Sequence, residues 1–395
     1  LRLSSVQASL GGMRPALNGV LNLKGKAVAS QDLQLVAGDN RVALDLRIAD
    51  LSVKPLAVTL RGEADTLALD PLLAAGAPGA GGGEGGGAKP AATARRTESG
   101  PLDLPLRAEA SLKVKQATIK GLACKDFSLH ALLDKNVLTI DELRGQLAGG
   151  NFLDTARVDL GRPGFAYRTH LELRDLQLQP LLSALRPAAG AAVTGSLGLK
   201  ADLTGAGTLP ETVKRNLSGN GEILIKDGRL EGGQLVQGLA TVLGLEELRQ
   251  ISFQQWAGNF RIEQGQVQID SHISGKQVRL APQGSVGLDG KLNLQLDTRL
   301  APELTAKLDT HGKVTRFFKD ADGWGQVPLK LSGSLDAPRF EIDAKAALKK
   351  ATETLQEKLE QKLQERLAPK PDSGASPDTS QKQQLEKTLR GLFGN

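Results

Sequence analysis

Apolar and polar residues alternate with a period of two along most of this chain. In "RVALDLRI", Val42, Leu44, Leu46 and Ile48 fall on one face and Arg41, Ala43, Asp45 and Arg47 on the other. Successive side chains of a strand point to opposite sides, so this is the pattern of a half-buried strand. The same reading holds for Leu197, Leu199, Ala201 and Leu203 in "SLGLKADL", and for Leu292, Leu294 and Leu296 in "KLNLQLD". Gly, Asp, Asn or Pro positions separate such runs, as hairpin connections require. The pattern predicts antiparallel sheet and argues against a wound α/β fold. Helical patterning is confined to a short turn near Pro180 to Leu185, a helix from Gln234 to about Gln250, and the tail.

A weak internal repeat accompanies the strands. "QLVAGDN" (Gln34 to Asn40) leads to "LALDPLL" (Leu67 to Leu73), and "QLAGGN" (Gln146 to Asn151) leads to "LQLQPLL" (Leu176 to Leu182). A looser copy runs from "VRLAPQG" (Val278 to Gly284) to "LAPEL" (Leu300 to Leu304). Repetition of a multi-strand unit predicts a sheet extended by adding modules. Residues 1–73 and 101–194 read as β-repeat segments and 195–343 as a C-terminal β segment. Residues 74–100 are too rich in Gly and too poor in apolar side chains to offset the entropy of ordering, and read as a linker or loop. That stretch lacks the Lys-Ser/Thr ending and following helix of a phosphate loop.

Beyond Asp343 the period changes. Leu348, Leu355, Leu359, Leu363 and Leu367 mark an amphipathic helix over 344–368, ended by Pro369 and Pro371. A polar spacer and a short terminal helix with Leu385, Leu389, Leu392 and Phe393 fill 369–395. The mixed charges of these helices favour packing on protein over lying on a membrane.

Composition limits the chemistry available. Aromatic residues make up 3% of the 395 residues, with one Tyr, two Trp and one Cys, so the interior must be built from Leu, Val, Ile and Ala. The net charge of +6 is dispersed through alternating strands and forms no nucleic-acid footprint. His130, His170, His272 and His311 are scattered and lack metal-ligand spacing. Ser4, Ser5, Ser183 and Ser252 lie in no nucleophile elbow, and Cys124 reads as an inert, half-buried thiol. Catalytic, cofactor and metal residues are therefore expected to be absent. A polysaccharide-acting enzyme would want paired carboxylates with aromatic platforms, which this composition does not favour. The chain opens at Leu1 within an alternating pattern and has no run of about 18 apolar residues, so it reads as a piece of a longer protein whose targeting segment has been removed.

The stretch "SGNGEILIKDGRLEGGQL" (Ser218 to Leu235) tests the phosphate-loop alternative directly. Ile223 and Ile225 share a strand face, Lys226 to Arg229 has hairpin-turn chemistry around Asp227-Gly228, and a helix follows Gly232 and Gly233. A turn between two strands is expected.

That stretch also carries a resemblance. "GSLGLKADLTGAGTLPETVKRNLSGNGEILIKDGRLEGGQL" (Gly195 to Leu235) resembles the hallmark segment of the AsmA family: a strand, a Gly-containing turn, a short helix, then L-x-G-x-G-x-x-x-I-x-D-G-x-x-x-G. "FRIEQGQVQIDSHISGKQVRLAPQGSVGLDGKLNLQL" (Phe260 to Leu296) and "VPLKLSGSLDAPRFEID" (Val327 to Asp343) resemble that family's C-terminal strands. The family's N-terminal membrane anchor is expected to lie outside this sequence, and the resemblance does not extend to the Gly-rich insertion.

The resemblance implies a mainly β protein of the Gram-negative envelope: an elongated, curled antiparallel sheet of repeated strands forming an open hydrophobic groove. It implies a periplasmic location, tethered to the inner membrane by that anchor. The implied role is non-enzymatic conduction of phospholipid acyl chains to the outer membrane, with a partner there and no nucleic acid. The expected groove lining is Val42, Leu44, Leu46, Ile48, Leu197, Leu199, Leu203, Ile223, Ile225, Val267, Ile269, Leu292, Leu294, Leu296, Phe340 and Ile342. The alternative is a structural or assembly factor for outer-membrane biogenesis, with a filled β core and edges that recruit partners by strand addition.

Overall fold

The computed structural model describes residues 2–7, 14–75, 97–185, 193–310, 319–320, 322–347 and 349. The chain divides into two compact units, 1–343 and 344–395, and among the described residues all strands lie in the first. Of the helix expected over 344–368, residues 344–347 and 349 are described and helical; the rest of it, the expected C-terminal helix and most of the Gly-rich segment fall outside the described residues.

The first unit is mainly β. Five strands, β1 (Arg2–Gln7), β2 (Ala16–Lys24), β3 (Ala27–Ala37), β4 (Asn40–Ile48) and β5 (Leu56–Ala68), lead into helix α1 (Leu69–Ala75). Five more, β6 (Leu106–Ile119), β7 (Leu122–Asp134), β8 (Val137–Leu147), β9 (Gly150–Asp159) and β10 (Ala166–Gln177), lead into α2 (Leu178–Leu185). The repeat expected from "QLVAGDN" and "QLAGGN" is thus structural: each motif carries the chain into a hairpin pair that ends in a helix.

Then come β11 (Val193–Ala206), α3 (Pro210–Asn216), β12 (Ser218–Glu231) and α4 (Gly233–Leu243). A 3-10 turn (Glu246–Arg249) precedes β13 (Gln250–Glu263), β14 (Gln266–Ser274), β15 (Val278–Gly287) and β16 (Lys291–Leu300). Last are α5 (Pro302–Thr310), β17 (Gly325–Ser334) and β18 (Ala337–Ile342). Each strand pairs with the next in sequence, so the sheet runs from β1 to β18 as an open ribbon. At about 4.8 Å per strand, the ribbon is on the order of 80 Å along its hydrogen-bonding direction.

One junction departs from the purely antiparallel expectation. β5 and β6 are parallel, paired from Leu56↔Leu106 to Ala68↔Thr118. A parallel neighbour cannot be reached through a tight turn and needs a long crossover. Residues 69–105 supply it, so the Gly-rich insertion does not interrupt the sheet.

Strand direction places the helices. α1, α2, α4 and α5 follow β5, β10, β12 and β16, which all run the same way, so these four sit along one rim, called here the upper rim. α3 follows an opposite-running strand and lies at the lower rim. Buried apolar residues gather under the upper-rim helices. One cluster holds Val42, Leu67, Val114, Ala117 and Cys124, with Leu69 and Leu72 against it. The larger one holds Leu176, Leu197, Ile225, Phe253 and Leu300 with Val236, Leu239, Ala240 and Leu243 of α4. Those four α4 positions follow the i, i+3, i+4, i+7 spacing of a helix face. Gly244, left-handed at φ 69°, ends the helix earlier than its apolar pattern suggested.

The Asp-Gly of the hallmark segment is not the hairpin turn that was expected. Asp227 (φ 49°) lies inside the continuous strand β12. There two residues of β12, Asp227 and Gly228, oppose one of β11, Gly195, which is a bulge. Bulge and turn make the same local demand for positive φ, and only pairing with neighbouring strands tells them apart. Asp32 in β3, Asp126 in β7 and Asp175 in β10 repeat the device, with φ of 49°, 50° and 57° and a one-residue slip against a neighbour. Asp tolerates this left-handed conformation better than most side chains. Each slip shifts the inward phase by one, so Leu171 and Leu173 are followed on the apolar face by Leu176, which is 1% exposed. A Cβ at Gly228 would lie far inside van der Waals contact with the Phe253 ring. Gly228→Ala is therefore expected to lower the urea midpoint by the equivalent of about 1–3 kcal/mol.

The Gly-rich insertion ends in a pinned segment. Glu98 Oε2 accepts hydrogen bonds from the Thr208 amide (2.5 Å), Thr208 Oγ1 (2.8 Å) and the Leu209 amide (3.3 Å) at the start of α3. Beyond it, Gly164 N donates to Ser99 O (2.7 Å), Leu102 N to Leu160 O (2.8 Å) and Leu104 N to Asn136 Oδ1 (3.0 Å). These contacts lay residues 98–104 along the lower rim. The hydroxyl of Thr212, then the amide and hydroxyl of Thr208, hold the Glu98 carboxyl at a pKa of about 2. A depressed carboxylate pKa stabilises the fold fully above the unfolded value near 4.5, and that contribution is lost as pH falls through about 2. Hydrogen exchange at the Thr208 and Leu209 amides should be fast at pH 7 in Glu98→Gln and slow in the parent chain. Equal protection in both would show that the carboxylate does not hold this rim.

Candidate functional site: a continuous apolar face

Strand registers place the expected lining residues on one face. A single cross-strand row runs Leu44, Gly62, Leu112, Leu129, Leu143, Asp154, Leu171, Ala201, Gly221, Phe260, Ile269, Gly284, Leu294, Leu331, Phe340. Period-two alternation on each strand extends this row into a face. Val42, Leu46, Ile48, Leu197, Leu199, Leu203, Ile223, Ile225, Val267, Leu292, Leu296 and Ile342 all belong to it. Leu112, Leu129, Leu143, Leu171, Phe260 and Leu331 are lining residues that the sequence reading did not name, although their strands carry the same alternation.

The face is not uniform. Val42, Leu197, Ile225, Leu292, Leu294 and Leu296 are buried, 3–9% exposed. All but Val42 belong to the large packed cluster that includes α4. Phe340, on β18, packs against that cluster, and its ring faces Gly238 of α4. In a flat sheet β12 and β18 would lie about 29 Å apart, whereas the eleven residues of α4 span only about 16 Å. The C-terminal strands therefore curl around α4. Leu44, Leu46, Ile48, Leu199, Leu203, Ile223, Val267 and Ile269, toward the middle and lower rim, are half-buried, and Ile342 is 49% exposed. The upper part of the face is thus packed under helices except at Ile342 on the edge strand β18, and the expected lining residues of the middle and lower part, apart from Leu292 and Leu294, are incompletely covered.

The opposite face is solvated and charged with both signs. A concavity of about 830 Å³ between β10 and β14 is lined by Glu172, Lys200, Glu222, Asn259, Asp270 and His272 among others. Glu172 pairs with Arg174 (2.7 Å) and Lys200 (3.6 Å), and the Arg174 guanidinium holds its carboxyl below the usual range. His130 lies 2.6 Å from Asp141 and 3.5 Å from Glu109, and Asp141 raises its pKa. His170 Nδ1 is 2.8 Å from Asp202. The structure does not bring the three described histidines together, and His311 lies outside the described residues. Cys124 is buried, and desolvation pushes its thiol up.

What the arrangement can do chemically follows from the first face: it can bury apolar chain against aliphatic side chains. The face crosses the β5–β6 junction without a break in register. In comparison with known proteins, the sequence model of the AsmA family matches residues 88–271. No curated protein and no solved structure matches the chain.

Proposed function

We propose, from the match of residues 88–271 to the AsmA family model, that this chain is a non-enzymatic lipid conduit of the Gram-negative envelope. In this reading phospholipid acyl chains lie on the half-buried part of the apolar face, between the inner and outer membranes. The location is periplasmic, with attachment to the inner membrane through a segment outside this sequence and a partner at the outer membrane. The observation that carries the reading is the unbroken cross-strand row from Leu44 to Phe340, aliphatic or small at nearly every position. Each methylene moved from water onto such a face contributes about 0.8 kcal/mol, enough to hold a long chain without nucleotide or cofactor.

The packed β12–β18 end favours a second reading for that part alone, a filled scaffold. Lipid extraction and native mass spectrometry of the chain purified from a Gram-negative host separate the two. The conduit requires co-purifying phospholipid in at least stoichiometric amount. A folded chain that carries none, and takes up none from vesicles, leaves only the scaffold.

A further inference from the structure

Among the described residues of β2 to β18, Asp154 is the one charged side chain on the apolar face. Its strand alternates Phe152, Asp154, Ala156, Val158, in unbroken register with Leu173, Leu171, Thr169 and Tyr167 of β10. Leu143 and Leu171 flank it on either side in the central row. Thr169, also on this face, donates its hydroxyl to Asp154 Oδ1. Both residues are half-buried.

A second observation falls at the same place. One packed cluster ends with Leu147 and Phe152 on β8 and β9, and the other begins with Leu173 and Leu176 on β10. The apolar interior is therefore divided between β9 and β10, where the carboxylate stands.

We propose that Asp154, positioned by Thr169, is a polar station within the apolar face that takes the ammonium group of an aminophospholipid. The proposal rests on the conduit reading above. Any amphiphile lying across β9 and β10 must set either a chain or a headgroup over this carboxylate. A chain would desolvate the charge without replacing its hydrogen bonds, which is costly. An anionic headgroup would meet like charge. An ammonium offers several donors to an acceptor-only group that one threonine hydroxyl leaves with spare capacity, and the resulting bond is charge-assisted.

The test uses the full chain, equilibrated with vesicles of equal phosphatidylethanolamine and phosphatidylglycerol, and counts bound lipids by native mass spectrometry. The parent chain should hold about one more phosphatidylethanolamine than Asp154→Asn, with about a tenfold headgroup preference at that site. Asp154→Glu should keep the preference, and circular dichroism should show all three folded. Identical lipid counts and headgroup ratios in the parent chain and Asp154→Asn would overturn the station while leaving the conduit intact. A folded parent chain with no lipid of either kind would overturn the conduit, and the station with it.

Discussion

Ile225→Glu is expected to unfold the C-terminal half of the sheet. Ile225 is 3% exposed and belongs to the cluster formed by β10 to β18, α4 and the 3-10 turn. Glutamate there would lose the packing of a branched aliphatic side chain and bury a carboxylate with no cation beside it. The penalty for an uncompensated buried charge is about 3–5 kcal/mol. Loss of the aliphatic side chain adds to it. Marginal domains have only about 5–15 kcal/mol in all, so most of the stability would go. The expected readout is loss of the β-type circular dichroism signal at a much lower temperature. Retention of the parent melting curve would mean that this end is not a packed core. Leu294, 9% exposed in the same cluster, should behave in the same direction. Neither position is a fair probe of cargo, because both report folding first.

The second large effect is expected at Leu46 and Leu199. Both are half-buried on the same face, away from the upper-rim helices. A carboxylate at such a position can still reach water, so the double variant Leu46→Asp, Leu199→Asp should cost no more than about 1–2 kcal/mol of stability. Its effect on a bound acyl chain is different in kind. Each leucine removed takes away apolar contact, and each aspartate must be desolvated whenever a chain lies over it. Co-purified phospholipid should fall at least tenfold while the melting temperature moves by a few degrees. Unchanged lipid content in the folded variant would remove this face as the carrier. Loss of lipid together with loss of structure would place both leucines in a filled core and favour the scaffold.

The two substitutions differ only in where each leucine or isoleucine sits along its strand, and that difference is invisible locally. Ile223 and Ile225 stand two residues apart on one strand face. Yet Ile225 is packed under the upper rim and Ile223 is half-buried. Burial at this level is set by which helices fold back over which end of the sheet. α4 reaches β18 only because the intervening strands curl, and curl is a property of the whole ribbon.

Asp227 shows the same limit at the scale of a single residue. Positive φ beside a glycine was legible, and a turn was the ordinary inference. The signal that would have separated bulge from turn was nonetheless present four times. In "SQDL", "CKDF", "LRDL" and "IKDG" an Asp follows a polar residue, and inward alternation resumes one position out of phase. A hairpin reverses the chain, whereas these stretches keep the residues before and after them in one strand.

By itself the sequence determined the strands, the face each presents and the aliphatic character of that face, because side-chain alternation is a local property of extended backbone. It determined the repeat in the same way, and the helix after Gly232 through the local 3.6-residue spacing of its apolar positions. Only the tertiary structure decided that β5 and β6 run parallel across the Gly-rich insertion, that helices pack along the upper rim, and that Glu98 is fastened to Thr208, 110 residues away. Those features depend on pairings between distant segments, whose free energy comes from contacts that no local window of sequence contains.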